Sequence, residues 1–372
     1  MTYRHRLQRP LARLTVQLAW LGFLTLFAVP ALAQNCPGAD PNDSTPDSAA
    51  LQSCLDNNSA VYLQPGYPGY IIDTRLWFRS WNAVLSSVGG KATLKAHPDL
   101  TRAMIRVDGA NYYTISELIL DGDRQNRTRN DLCTAPEQGF YAGAHGSNLI
   151  AEGSGYTLHH INTINAMCGS GLEAKGENFE IYSVYSANNG DEAPGGGWAD
   201  GMTLVRCDGG YVHHNYMVDN TDIGLVIFRG SGCTVRFNTV VNTSRYAFAG
   251  IKVGDPGLDS SASLSGSLVH DNEVTAGYNL LTFGLLVGHH PWDANKWMTD
   301  VGEVSYNSIS GAMANLVVDG IQAGTIVSNS MSNAQGTRAL TCSYTANYTA
   351  DHFGNATLQG GYVIHSFDPG CQ

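Results

Sequence analysis

Short segments of alternating character recur along the chain, and five of them place an asparagine in register. They read YTLHHINTIN (156–165), FEIYSVYSAN (179–188), YVHHNYMVDN (211–220), TVRFNTVVNT (234–243), LVHDNEVTAG (268–277), EVSYNSISGA (303–312) and TIVSNSMSNA (325–334). Asn215, Asn238, Asn272, Asn307 and Asn329 are separated by 23, 34, 35 and 22 residues. After each segment comes a turn, then a second strand opening near a small residue: SGLEAKG (170–176), DGMTLVRC (200–207), IGLVIFRG (223–230), AGIKVGD (249–255), FGLLVGHH (283–290) and NLVVDGI (315–321). Self-similarity at a near-constant period marks a stacked repeat, in which each unit buries its apolar face against its neighbours.

A unit of about 22 residues, strand–turn–strand–turn, matches one coil of a parallel β-helix. The predicted fold class is therefore all-β: a single-stranded right-handed parallel β-helix, or solenoid, with an N-terminal capping helix. Alternation along the second strands sends Leu172, Met202, Leu225, Ile251, Leu285 and Leu316 inward, and Glu173, Thr203, Val226, Lys252, Leu286 and Val317 outward. The recurring Asn can bond its own amide to the next coil, a structural ladder without chemistry. STPDSAALQSCLDN reads as the helix that closes the first coil, with Thr45 as N-cap, Pro46 at the first position, and Ala50, Leu51, Cys54 and Leu55 on one face. No linker interrupts residues 34–372, which read as one domain.

The first 33 residues read differently. Arg4, Arg6, Arg9 and Arg13 precede the apolar run LAWLGFLTLFAVP and the triplet Ala31-Leu32-Ala33, the pattern of a cleaved signal peptide (1–33). That run is too short to span a bilayer, so the expected product is secreted, extracellular or periplasmic, with no membrane attachment. Without the four leader arginines, 17 basic residues face 32 acidic ones, a net charge of −15 that repels nucleic acid. Eight cysteines in an exported chain suggest disulfides, paired by neighbourhood as Cys36–Cys54, Cys133–Cys168, Cys207–Cys233 and Cys342–Cys371. No CxxC or HxxxH-type cluster argues for zinc, and no cofactor is expected.

In a solenoid, insertions on one side wall a groove. GDEAPGGGWA (190–199), GDPGLDSSAS (254–263) and HHPWDANKWMTD (289–300) all flank second strands, and Trp198 and Trp292 offer platforms for a sugar ring. On that side Asp200 and Asp222 stand 22 residues apart, one coil, ahead of equivalent strands. Stacked strands lie about 5 Å apart. Two acids that close repel when both are ionised, so one should keep its proton near neutrality. A protonated acid beside an ionised one is what glycosidic cleavage requires. An Asp before a turn can equally be structural. Glu173, Arg229, Tyr246, Lys252, Asp255, His289 and Asp319 are expected around the pair as groups that bind sugar hydroxyls or a uronate carboxylate. A solvated face of ion pairs is the plainer alternative. His159-His160 and His213-His214 suggest a metal cluster at first sight, but neither pair is expected to have acidic ligand partners alongside, and both are read as a partly exposed histidine column two coils apart.

The repeat pattern resembles the pectin-lyase-like β-helix superfamily over nearly all of residues 34–372. Within it, Ala199-Asp200-Gly201 followed one coil later by Thr221-Asp222 resembles glycoside hydrolases of the polygalacturonase type, which carry an Asn-Thr-Asp segment and then an Asp pair. That resemblance implies Asp200 and Asp222 as acid and base. Ala199 replaces the Thr, Ile223 stands where one acid of the pair falls, and Gly250-Ile251-Lys252 is the nearest remnant of an Arg-Ile-Lys segment. The function expected is a carbohydrate-active enzyme, a glycoside hydrolase acting on a polysaccharide or oligosaccharide. Two alternatives stand beside it. One is a polysaccharide lyase or epimerase acting on a uronate polymer, with Lys252, Arg229 or Tyr246 as base and Ca²⁺ or Arg neutralising the carboxylate. The other is a non-catalytic glycan-binding surface protein.

Overall fold

Why the repeat folds as it does is visible at each corner of the coil. The computed structural model describes residues 36–127, 133, 146–191, 197–255, 262–288, 298–335, 348–360 and 363–364. Those residues are dominated by short strands, every pairing between them is parallel, and the winding is that of a right-handed β-helix. Each coil holds three strands rather than the two expected. Thr234–Arg236, Thr239–Asn242 and Ala247–Val253 make one coil, stacked on Tyr211–His213, Tyr216–Val218 and Ile223–Ile227 of the coil before. The segments read as one strand break in the middle. His160, Ser183, His214, Phe237, Asp271, Tyr306 and Ser328 there adopt left-handed backbone, with φ between 53° and 57°. Such a conformation is costly for a residue with a side chain.

From His214 onward the asparagine that follows supplies the compensation. The Asn238 N–H and Nδ2 both donate to Asn272 Oδ1, at 3.0 and 2.9 Å, while Nδ2 also donates to the Val212 carbonyl at 3.1 Å. The pattern runs unbroken from Asn215 to Asn329, whose N–H donates to Gln359 Oε1. The ladder is as expected from sequence. A second and shorter one, at the next corner, was not: Asn189 donates through N–H and Nδ2 to Asn220 Oδ1 at 3.2 and 2.8 Å.

The six predicted inward side chains, Leu172 to Leu316, are wholly buried in one continuous core. Each contributes about 1.5–3 kcal/mol by leaving water. Tyr113, Tyr156 and Phe179 stack within that core at 4.9 and 4.8 Å. The outward set faces away from that core as expected, but it is not open to solvent. Glu173, Thr203, Val226, Lys252, Leu286 and Val317 are at most 4 % exposed. Gly201, Gly224, Gly250 and Gly284 break the alternation just before these residues. A Cβ at Gly224 would meet Val240 Cγ1 at 2.3 Å and the Gly250 carbonyl at 2.7 Å, so the glycine faces inward where no side chain fits. Glycine and the residue after it both turn in, and the residues before and two after both turn out. Ile223, Val226, Ala249, Phe283, Leu286, Ala314 and Val317 accordingly form a second apolar cluster, separate from the core.

The capping helix spans Ser48–Asn57, and Leu51, Cys54 and Leu55 are buried as expected. Its N-cap is Asp47, not Thr45, because Pro46 is drawn into a parallel bridge with Ile71. The Asp47 carboxylate is itself used to hold the first coil, accepting from the Ile71 and Asp40 amides at 2.8 and 2.9 Å. Cys36–Cys54, Cys133–Cys168 and Cys207–Cys233 are bonded as predicted, with Cα atoms 5.5–5.8 Å apart. Cys342, Cys371 and the leader lie outside the described residues.

Candidate functional site

The strands Ala199–Asp208 and Ile223–Ile227 bring the two aspartates together. Their register pairs Met202 with Leu225, a step of 23 residues, so Asp200 is level with Ile223 and Asp222 sits one residue outside the column. The same-column expectation is corrected by that residue. The juxtaposition survives because Asp222 lies in the turn just before its strand, where its N–H donates to the Ala199 carbonyl at 3.1 Å. Asp200 stands immediately before Gly201, on the side of the corner where Thr203 also turns out. The Thr203 hydroxyl donates to Asp200 Oδ2 at 2.6 Å, and Ser170 Oγ lies a further 2.6 Å away from that hydroxyl. Asp200 Oδ1 accepts from the Ile223 amide at 3.2 Å. Asp222 Oδ1 is buried and has no hydrogen-bond partner.

These surroundings set the charge. Burial raises the Asp200 carboxyl well above the usual carboxylate range, and the Asp222 charge adds to the effect. The Thr203 hydroxyl and Ile223 amide oppose it, and Glu173 reinforces it. Burial alone pushes Asp222 up to about 7. The pair therefore holds a shared proton near neutrality. Both side chains keep partial access to solvent. Trp198, two residues before Asp200, is 47 % exposed.

The other predicted binding residues divide. Glu173 is 3 % exposed, near enough to Asp200 to raise its pKa but not open to a ligand. Lys252, Asp255 and Asp319 are at most 1 % exposed, which corrects their placement in an open groove. The Lys252 ammonium donates to the carbonyls of Val253, Gly254 and Gly288. Burial depresses its pKa to about 7 while the Asp255 and Asp319 carboxylates pull it back up. It is a structural cation under the surface. Tyr246 is half-buried, its hydroxyl 2.6 Å from Thr282 Oγ1. His289 and Trp292 lie outside the described residues, as do the centres of the three inserted loops, 192–196, 256–261 and 289–297.

Arg229 belongs to a separate cleft of about 450 Å³ at the far end of the Ala199–Asp208 strand, lined also by Lys175, Arg206, Asp208, Ser231 and Ser263. Lys175 pairs with Glu152 at 2.7 Å, and Arg206 with Glu177 at 3.0 Å. Sequence reasoning missed Ser170 as part of the Asp200 network. Its signal was available in the register, since Ser170 pairs with Asp200 across the coils.

The histidine pairs do stack two coils apart. His159, Tyr182 and His213 form a column with ring centroids 5.0 and 5.4 Å apart. Each pair has an acidic neighbour from an adjacent coil, which corrects the expectation that none stands alongside. Glu117 Oε1 is 3.9 Å from His160 Nδ1, and Glu180 Oε1 is 3.1 Å from His213 Nε2. Sequence spacing hides them because the coils alone bring them near.

No protein-family model matches this chain, and no curated protein matches it by sequence. Solved structures do match in shape. The Dettilon tailspike protein superposes with a TM-score of 0.56 at 12 % identity, over 87 % of this chain and 59 % of the tailspike. An exopolygalacturonase from Thermotoga maritima gives 0.53 at 13 % identity, over 87 % of this chain and 90 % of the enzyme. A tailspike variant of the E. coli bacteriophage HK620, solved with a hexasaccharide, gives 0.50 at 11 % identity, over 88 % of this chain and 64 % of its own. The chain thus spans about three-fifths of the length of the two tailspikes. The fold shared with these structures is the right-handed parallel β-helix.

Proposed function

We propose that the chain is an exported glycoside hydrolase in which Asp200 donates a proton to the leaving glycosidic oxygen and Asp222 acts as base toward water. The observation carrying this reading is the partly open carboxyl pair. Both carboxyls are pushed up by burial, and Asp200 also by the Asp222 charge, so the pair shares a proton near neutrality, with Asp200 accepting from Thr203 and Asp222 keeping one buried oxygen without a partner. One carboxyl protonated and one ionised are the two states that general-acid and general-base cleavage needs side by side. Bond by bond, the Asp200 proton passes to the departing oxygen, the attacking water bonds to the sugar carbon, and Asp222 accepts the water proton. Trp198, exposed beside Asp200, is suited to stack on a sugar ring.

Shape supports a carbohydrate ligand, since the fold is shared with a named polygalacturonase and with a tailspike solved with a hexasaccharide. Three disulfides among the described residues accord with an oxidising compartment, and no described helix is long and apolar enough to cross a membrane. Lyase chemistry through Lys252 is disfavoured, because its ammonium is wholly buried among carbonyls.

Incubation with a panel of neutral and uronate polysaccharides tests this reading. New reducing ends without the ultraviolet absorbance of an unsaturated uronate are expected, with kcat/KM falling as pH drops through about 7. Unsaturated products would establish a lyase instead. Binding without any cleavage would establish a glycan-binding protein.

A further inference from the structure

On the flank of the first strands, two residues in left-handed backbone stand one above the other. Thr157–His159 pairs with Thr114–Ser116, so His160 lies one coil over Glu117, with φ of 53° and 54°. The left-handed turn rotates the His160 ring back toward its neighbour. The two imidazoles meet at 89°, with His159 Nδ1 and His160 Nδ1 2.8 Å apart. Glu117 Oε1 approaches His160 Nδ1 to 3.9 Å, and one ligand atom from each of the three residues lies within 4.8 Å of the others. Two nitrogens bonded to one ion at about 2.1 Å stand roughly 2.9 Å apart at a right angle and about 3.4 Å apart in a tetrahedron. The site is accessible, since His160 is exposed, and it is partly pre-formed, since Tyr182 stacks on His159 at 5.0 Å and 11°.

From this convergence we infer that Glu117, His159 and His160 form a binding site for a borderline transition cation of the Zn²⁺ class, with water completing the coordination. Two imidazoles and one carboxylate suit zinc, cobalt, nickel or copper and do not suit calcium or magnesium. Such an ion ties the loop corners of two successive coils together. A second histidine pair acts as an internal control. His213 Nδ1 and His214 Nδ1 are also 2.8 Å apart, but Glu180 meets His213 at Nε2, on the far side of the ring. One ion cannot take that carboxylate and both Nδ1 atoms, so the second pair offers two ligands and the first pair three.

The test uses the full exported chain without a polyhistidine tag, stripped with chelator and titrated calorimetrically with Zn²⁺, with Co²⁺ absorption as a second probe. One equivalent should bind, and the melting temperature should rise with it. His159→Ala and Glu117→Gln should each weaken binding by at least about tenfold, the loss seen when even an outer partner of a metal ligand is removed. His213→Ala and the double variant His289→Ala/His290→Ala should leave binding unchanged. Wild-type protein that takes up no Zn²⁺ overturns the proposal. So does binding that survives both His159→Ala and Glu117→Gln, or binding lost in either control.

Discussion

Replacing Asp222 by Asn should make the protein more stable above neutral pH while abolishing turnover. In the folded chain the Asp222 carboxyl keeps its proton to about pH 7, whereas in the unfolded chain it ionises near its ordinary value of about 3.9. Between those limits the unfolded state binds fewer protons than the native state, so stability falls as pH rises, by about 1.4 kcal/mol per pH unit. The contribution is fully present below about pH 4 and lost once pH has passed about 7. Three units give a ceiling of about 4 kcal/mol. Partial solvent access and the neighbouring Asp200 reduce this to about 2 kcal/mol. Asparagine keeps the shape and has no charge to bury. Relative to wild type, the variant should therefore gain about 2 kcal/mol between pH 4 and pH 8, or roughly 3 °C in melting temperature for a chain of this size. Denaturant titrations of both proteins across that range supply the comparison. Curves that stay parallel at every pH would refute the argument, and so would a variant that is the less stable at pH 8.

Two further outcomes follow from the fold. Asn272→Ala removes the middle of the ladder and strands the buried Asn238 amide, which now donates to Asn272 Oδ1; a loss of about 2–4 kcal/mol is expected in chemical denaturation, with turnover per folded molecule unchanged. Lys252→Met retains the buried stem but leaves Asp255 and Asp319 without their cation, so stability should fall by roughly 3–5 kcal/mol. The same variant should keep its turnover at low temperature, where loss of activity would restore Lys252 to the site.

The coil and its ladder were legible because five successive left-handed corners, from His214 to Ser328, share one chemical answer, an amide side chain bonded to the next amide. Asn215 through Asn329 announce it even where inserted loops stretch the spacing. The neighbour rule for disulfides worked for a related reason, since Cys207 and Cys233 close adjacent coils. Strict alternation failed at Gly201 and Gly224. A glycine facing a crowded core breaks the two-residue period, and sequence cannot show that Val240 fills the space. Lys252 does face away from the core, in one column with Val226, Leu286 and Val317; what alternation could not show is that this column is itself buried, as are Asp255 and Asp319. Asp200 and Asp222 were found by coil spacing despite a register error of one residue. Ser170 and Glu117 were missed because their partnerships exist only across coils.

The most direct measurement is a carbon-13 NMR titration of the aspartate carboxyls in wild type, Asp200→Asn and Asp222→Asn. Our account predicts two coupled resonances that titrate far above the other aspartates, one of them near pH 7, each vanishing in its own variant and shifting in the other. Two independent midpoints at the ordinary carboxylate value would contradict it.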